Sequence, residues 1–304
     1  AYGCNGISGV EKIGKGYGEK NMEYVMSDLL LRAYRGNYAI PAICVSNMES
    51  VLACFIAAEK AGSPVIIQSA YSEMNPQLIT AGDLAGIVRT IGKRYQDIPY
   101  CIHLDHGMTQ EECMMALEGG FLSIMYDGSG GSYEENVRVT KRLKDVAGPH
   151  RCVEAEVGRG GGEEGKGTNK ENGIIKSDPE QLADFLAKTG ADAIAVSIGN
   201  IHGCHGVIKQ APELDFALLQ KLRESCGVPL VLHGASGIPE EDIRKAVTMG
   251  ISKVNYYTQL YHCYMGCVRK NIDLTMEECM GRATEALAEE IMKLMDMCGS
   301  VDRI

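Results

Sequence analysis

The sequence has no apolar run approaching the roughly 20 residues needed to cross a bilayer, and no secretory pattern opens it. A cytoplasmic protein with no membrane partner is expected. Positive charge is also in short supply: 30 Lys+Arg stand against 40 Asp+Glu, for a net charge of −10. That balance argues against a nucleic-acid partner, though not against a local phosphate site. No glycine fingerprint for a dinucleotide follows the first strand-like run, so a nicotinamide oxidoreductase fits poorly. Twelve cysteines include no close CxxC pair, and Cys44, Cys54, Cys101, Cys113, Cys152, Cys263 and Cys267 lie inside regular segments. A chain of 304 residues with 45% hydrophobic content needs no disulfide staples, so reduced thiols are expected.

Histidine is scarce too, with seven residues in all, and three of them form a pattern. His106 in HLDHG, His202 in IGNIHG and His233 in VLHGASG each follow a short apolar run and precede a glycine. Three neutral imidazoles are a common catalytic zinc set that leaves a coordination position open for water or substrate.

Strand-like runs occur at Tyr38–Val45, Val65–Gln68, Tyr100–Leu104, Ser123–Tyr126, Arg151–Glu156, Ala193–Ser197, Leu230–Leu232 and Lys253–Asn255. Amphipathic stretches separate them, among them Met48–Ala61, Gln110–Glu118, Tyr133–Ala147, Pro179–Lys188, Asp215–Ser225 and Pro239–Met249. Eight such repeats in about 250 residues predict an α/β fold, a (β/α)8 TIM barrel. An extra C-terminal helix, about Met276–Met297, is expected outside it. Residues 1–22 carry six glycines and no periodicity, and read as a flexible N-terminal extension to a single barrel domain over 23–304. In this fold the active residues sit at the C-terminal ends of the strands. His106, Asp127, Glu156, His202, His233 and Asn255 all fall there.

In chain order, HLDHG, YDGS, VEAEVG, AVSIGNIHG, LVLHGASGIPEEDIRKA and the Asn-x-x-Thr of NYYT resemble the motifs of the class II ketose-phosphate aldolases. That family includes fructose-1,6-bisphosphate and tagatose-1,6-bisphosphate aldolases. The resemblance implies a reversible cleavage of a phosphorylated ketose to dihydroxyacetone phosphate and an aldehyde. It assigns zinc to His106, His202 and His233, with Glu156 approaching the metal in an alternative pose. Asp105 is implied to move the proton at the C4 hydroxyl; support of the neighbouring ligand is its other reading. Glu164, in the glycine-rich segment VGRGGGEEGKGTNK, is implied to act on the nucleophilic carbon from a mobile loop; a plain surface loop is the alternative. His103 reads as structural, or as support for a ligand.

Phosphate contacts fall to the backbone of Gly203, Gly234, Ala235 and Ser236, and to Asn255 and Thr258. Asp127 and Ser129 of YDGS are counted among the substrate contacts. A monovalent cation near the phosphate, and a homodimer or homotetramer, are further implications of the family.

The departures from the family include Ala235, where a second glycine is usual, and Gly165, where an aspartate is usual, but the distal half of the site looks most altered. Cys44 stands where an asparagine is usual, a serine is common near Ala70, and Tyr257 takes the place of an aspartate. Some bisphosphate aldolases have an arginine just beyond that point; here the region reads Gln259-Leu260-Tyr261, and the first arginine is Arg269. A ketose 1-phosphate with an altered distal end is therefore an expected alternative to a bisphosphate. Tyr256, Tyr257 and Tyr261 are candidates to contact that end, while Arg269, Lys209 or another subunit could restore the missing cation. Two rival functions stand beside these. One is a class I aldolase using Lys253 as a Schiff base, whose bland reading is an internal ion pair. The other is a non-catalytic aldolase-like partner subunit.

Overall fold

A computed structural model describes residues 22–160, 174–201 and 213–304. The extension expected over residues 1–22 therefore lies outside the described residues, apart from Met22. Met22 is buried, and its carbonyl accepts a hydrogen bond from the Tyr100 amide.

Eight parallel strands close into a barrel in sequential order. They are β1 (Ile40–Cys44), β2 (Val65–Ser69), β3 (Tyr100–Gly107), β4 (Ser123–Tyr126), β5 (Cys152–Val157), β6 (Ala193–Val196), β7 (Leu230–Leu232) and β8 (Ile251–Tyr256). β1 closes the ring on β8, with Ile40 opposite Lys253 and Ala42 opposite Asn255. All eight strand-like runs are found, within a few residues at their ends. Continuous apolar runs become strands here because helices cover the outside and side chains fill the inside, so both faces are buried.

Several outer helices begin on side-chain caps. Asn47 and Ser50 form a reciprocal capping box for Met48–Ala61, and Thr109, Ser132 and Asp178 cap the helices that follow them. Met276–Met297 packs outside the barrel against Met48–Ala61, as expected, and against Thr258–Lys270. The helices Met26–Gly36, Ala81–Gly92 and Thr258–Lys270 are additions to the sequence reading. No helix is long and apolar enough to cross a membrane among the described residues.

Met26–Gly36 closes the N-terminal end of the barrel. Its Met26, Leu29, Leu30 and Ala33 pack with Ile40, Ala42, Ile66, Cys101, Met125, Cys152, Ala193 and Val231, which line the barrel interior. Interior positions recur every second residue along each strand. From that apolar floor the interior faces run upward as Cys101–His103–Asp105 on β3 and Cys152–Glu154–Glu156 on β5. The polar groups thus collect at the open, C-terminal end.

β3 breaks its own alternation. His103 and Leu104 pair with Ser123 and Ile124, but Gly107 pairs with Tyr126, so the strand carries one extra residue. His106 takes φ +38°, in the left-handed region that non-glycine residues seldom occupy. Adjacent side chains on a regular strand point to opposite faces. The bulge instead lets Asp105 and His106 both turn toward the barrel mouth. The glycine that ends HLDHG is needed for close packing: a Cβ at Gly107 would lie 2.6 Å from Cys113 Sγ and 2.8 Å from the Met125 carbonyl oxygen.

Candidate active site

Two histidine rings meet at the centre of the open end. His106 Nε2 and His233 Nδ1 are 2.8 Å apart, and the rings cross at 85°. Each ring is held from its far side by a carboxylate. Asp127 Oδ2 lies 3.1 Å from His106 Nδ1, and Glu154 Oε1 lies 2.9 Å from His233 Nε2. These contacts fix the tautomers, because an ionised carboxylate can only accept. Each ring then turns a lone pair toward the other ring. Two lone pairs facing at this distance repel, and a shared cation relieves the repulsion. The donor set therefore fits a metal ion, in the carboxylate–histidine–metal arrangement typical of such sites.

Burial keeps His233 neutral. It drives the ring well below the usual histidine range, and nearby His106 adds to the effect. Asp127 is also buried, which opposes its ionisation, but hydrogen bonds with His106 and Ser129 outweigh burial and hold its carboxyl far below the usual range. Ser129 thus touches the site through its backbone amide, 3.0 Å from Asp127 Oδ1. The ligand atoms of His106, Asp127 and Glu156 form one cluster that could hold a metal, and those of Asp105, His106 and His233 form another. Glu156 lies beside a cavity lined by Gly128, Ser129, Tyr133, Arg159 and Gln181.

Asp105 sits 3.8 Å from His106 Nε2. Its carboxylate accepts from Asn255 Nδ2 at 3.0 Å, Gln68 Nε2 at 2.8 Å and the Cys44 thiol at 3.4 Å. Burial works against its charge, but His106, His233 and Lys253 prevail and hold its carboxyl below the normal range. The acid is thus ionised, oriented and next to the histidine pair.

Below this layer lies a buried group in which the sequence singles out Lys253 and His103 but not Glu154. Lys253 Nζ is 2.7 Å from Glu154 Oε2, and both side chains are fully buried. Lys253 is therefore held in an internal ion pair rather than presented as a free amine. His103 Nδ1 is 2.7 Å from Ser123 Oγ, and its Nε2 is 3.5 Å from Glu154 Oε2. Glu154 thereby connects Lys253, His103 and His233. The period-two spacing Cys152–Glu154–Glu156 was the available signal for its inward direction.

The loops after β7 and β8 meet beside the histidines. Gly234 has φ +63°, and Ala235 and Ser236 are buried. The Ala235 amide donates to the Asn255 carbonyl, and the Gln259 amide donates to Ser236 Oγ at 3.4 Å. Thr258 opens the helix Thr258–Lys270 at this junction. Asn200 Nδ2 donates to the His233 carbonyl at 3.1 Å. The expected ligand His202, the phosphate contact Gly203 and the loop acid Glu164 lie outside the described residues.

Comparisons with known proteins agree with this arrangement. The family model for class-II fructose-bisphosphate aldolase matches residues 24–303. A fructose-bisphosphate aldolase of Geobacillus stearothermophilus is 36% identical over 250 residues, covering 81% of this chain and 84% of that protein. The D-tagatose-1,6-bisphosphate aldolase subunit GatY of Klebsiella oxytoca is 33% identical, covering 90% and 96%. The crystal structure of a putative fructose-1,6-bisphosphate aldolase from Coccidioides immitis superposes with a TM-score of 0.82 at 33% identity, covering 91% of this chain and 96% of that one. With its closed eight-stranded barrel and paired histidines at the open end, the chain belongs to the class II fructose-bisphosphate aldolase family and is a carbon–carbon lyase.

Proposed function

We propose that the chain catalyses the reversible, zinc-assisted aldol cleavage of a ketose phosphate to dihydroxyacetone phosphate and an aldehyde. The observation that carries this reading is the pair of facing ring nitrogens, 2.8 Å apart and backed by Asp127 and Glu154, with ionised Asp105 beside them. His106 and His233 would hold the metal together with His202, and Glu156 offers an alternative carboxylate. Zinc held there would supply a Lewis acid to the dihydroxyacetone phosphate half of the substrate.

Asp105 takes the proton from the C4 hydroxyl. The C3–C4 bond then breaks, C4 becomes the aldehyde carbon, and the electron pair left on C3 delocalises onto the C2 carbonyl oxygen. Gln68 and Asn255 hold the Asp105 carboxylate in place for this transfer. Glu164 is assigned the return of a proton to C3. The amides of the Gly234–Ser236 loop, Asn255 and Thr258 are assigned to the C1 phosphate, at the usual phosphate site of this fold. The geometry of the described residues gives no support to a monovalent cation.

The ten described cysteines are all free, which supports a reducing, cytoplasmic setting. A homodimer or homotetramer is proposed by analogy with the family alone. The test is dihydroxyacetone phosphate release from fructose 1,6-bisphosphate, tagatose 1,6-bisphosphate and ketose 1-phosphates, with EDTA and with zinc restored. Release that EDTA abolishes and zinc restores is expected. No release from any of them by zinc-bearing protein would reject the reading.

A further inference from the structure

Resting on that reading, we infer that the aldehyde half of the substrate carries no phosphate: the chain acts on a ketose 1-phosphate whose distal end is an uncharged, hydroxyl-bearing tail. Asp105, the proposed acceptor of the C4 proton, marks where the distal half begins. One side of its carboxylate is bounded by Cys44 of β1, Gln68 of β2 and Asn255 of β8. The tail must therefore extend over the corner where these strands end.

That corner is rich in acceptors and negative charge. Glu73, on the short helix Tyr71–Met74, accepts from Ser69 Oγ at 3.1 Å and from the Ala70 amide at 3.0 Å. Both bonds go to Oε2, which leaves Oε1 to accept from a ligand. The Glu73 charge weighs on Cys44 and Tyr257, which places it over the same corner as Asp105. Burial, partly offset by the Ala70 amide and reinforced by Asp105, pushes the Glu73 carboxyl up to about 7, so the corner already resists one further negative charge.

Gln68 adds a second observation. It is fully buried; its amide nitrogen serves Asp105 and Cys44, while its Oε1 has no hydrogen-bond partner among the described residues. A buried carbonyl oxygen of this kind calls for a donor. Tyr257 closes the wall with its phenol intact, since burial and Glu73 push its pKa up to about 12. Among the described residues, no lysine or arginine is hydrogen-bonded or ion-paired to Cys44, Gln68, Ser69, Glu73 or Tyr257. Sugar hydroxyls would satisfy Gln68 Oε1 and Glu73. A phosphate dianion has no proton to give Gln68 Oε1, and it would face ionised Asp105 and a Glu73 carboxyl that is already hard to ionise in a poorly solvated corner.

The test runs the reaction as condensation on the zinc-loaded full chain. Dihydroxyacetone phosphate is supplied with D-glyceraldehyde, glycolaldehyde or D-glyceraldehyde 3-phosphate, and its consumption is followed. In parallel, exchange of its hydroxymethyl proton with deuterated water reads the dihydroxyacetone phosphate half alone. Exchange is expected, together with kcat/KM for at least one neutral aldehyde about tenfold above that for the phosphorylated one. Glu73→Gln should raise kcat/KM for glyceraldehyde 3-phosphate about tenfold, mostly through KM. Equal or better use of glyceraldehyde 3-phosphate overturns the inference and leaves the aldolase reading standing, as does exchange with no neutral aldehyde consumed. Absence of exchange removes the aldolase reading, and the inference with it.

Discussion

His106 Nε2 and His233 Nδ1 face each other at 2.8 Å, with Asp127 and Glu154 holding the opposite edges of the two rings. Losing either carboxylate frees a ring to turn or to change tautomer. Asp127→Asn should weaken zinc binding about 10- to 100-fold, read by competition with a chromophoric chelator. His233→Ala should bind zinc more weakly still. Affinity unchanged in Asp127→Asn would mean that Asp127 does not orient the ligand.

Asp105 contributes to proton transfer rather than to metal retention in the proposed chemistry. Asp105→Asn should keep its zinc and lose about 10²- to 10⁴-fold in the cleavage rate. Zinc content by elemental analysis and dihydroxyacetone phosphate release separate the two effects. Loss of zinc with the activity would move Asp105 into the ligand set.

The Lys253–Glu154 pair is fully buried, so removing one partner strands a charge. Lys253→Met should cost about 3–5 kcal/mol in urea unfolding, and replacing both partners by apolar residues should cost less than the sum of the single changes. Because the amine is occupied, borohydride added with dihydroxyacetone phosphate should leave activity intact. Inactivation with a covalent adduct at Lys253 would revive Schiff-base chemistry.

Stability should fall as pH drops from about 6.5 to 5, measured by urea unfolding in EDTA. His103 and His233 stay neutral when folded because burial drives both well below their ordinary range. In the unfolded chain each takes up a proton near pH 6.5, so the unfolded state binds more protons and gains as pH falls. Glu73 acts in the opposite sense: with its folded carboxyl raised to about 7, it is protonated in the folded state first. Two groups against one leave a net loss of about 1.4 kcal/mol per pH unit. Glu73→Gln should make the slope about twice as steep. A slope unaffected by that change would show that Glu73 does not titrate in this range.

Much of this site was legible because strand and motif coincide. The runs before His106, His202 and His233 are short and apolar, which located three of the barrel ends without any contact information. Glu154, Gln68 and Glu73 were harder to assign. Gln68 and Glu154 lie inside strands, where a polar residue reads as an exception until the partners from other strands are known. Those partners come from positions 24 to 99 residues away. Glu73 is one acid on a four-residue helix, and its meaning comes only from the strand ends it overhangs. The helix Met26–Gly36 was passed over because its apolar face serves the barrel floor, a demand that local periodicity does not reveal.

The bulge in β3 ties together two groups that the proposed chemistry would otherwise keep separate. Asp105, the proposed proton acceptor, and His106, the proposed metal ligand, are consecutive and share one distorted stretch of backbone. Neither position can drift without carrying the other. A change in the local twist of β3, including one that begins at Gly107 or behind it at Cys113, would shift acid and ligand in concert. Selection for a different substrate tail must therefore leave this segment alone and act on the neighbouring strand ends. Cys44 and Tyr257 lie at those ends, on β1 and just after β8.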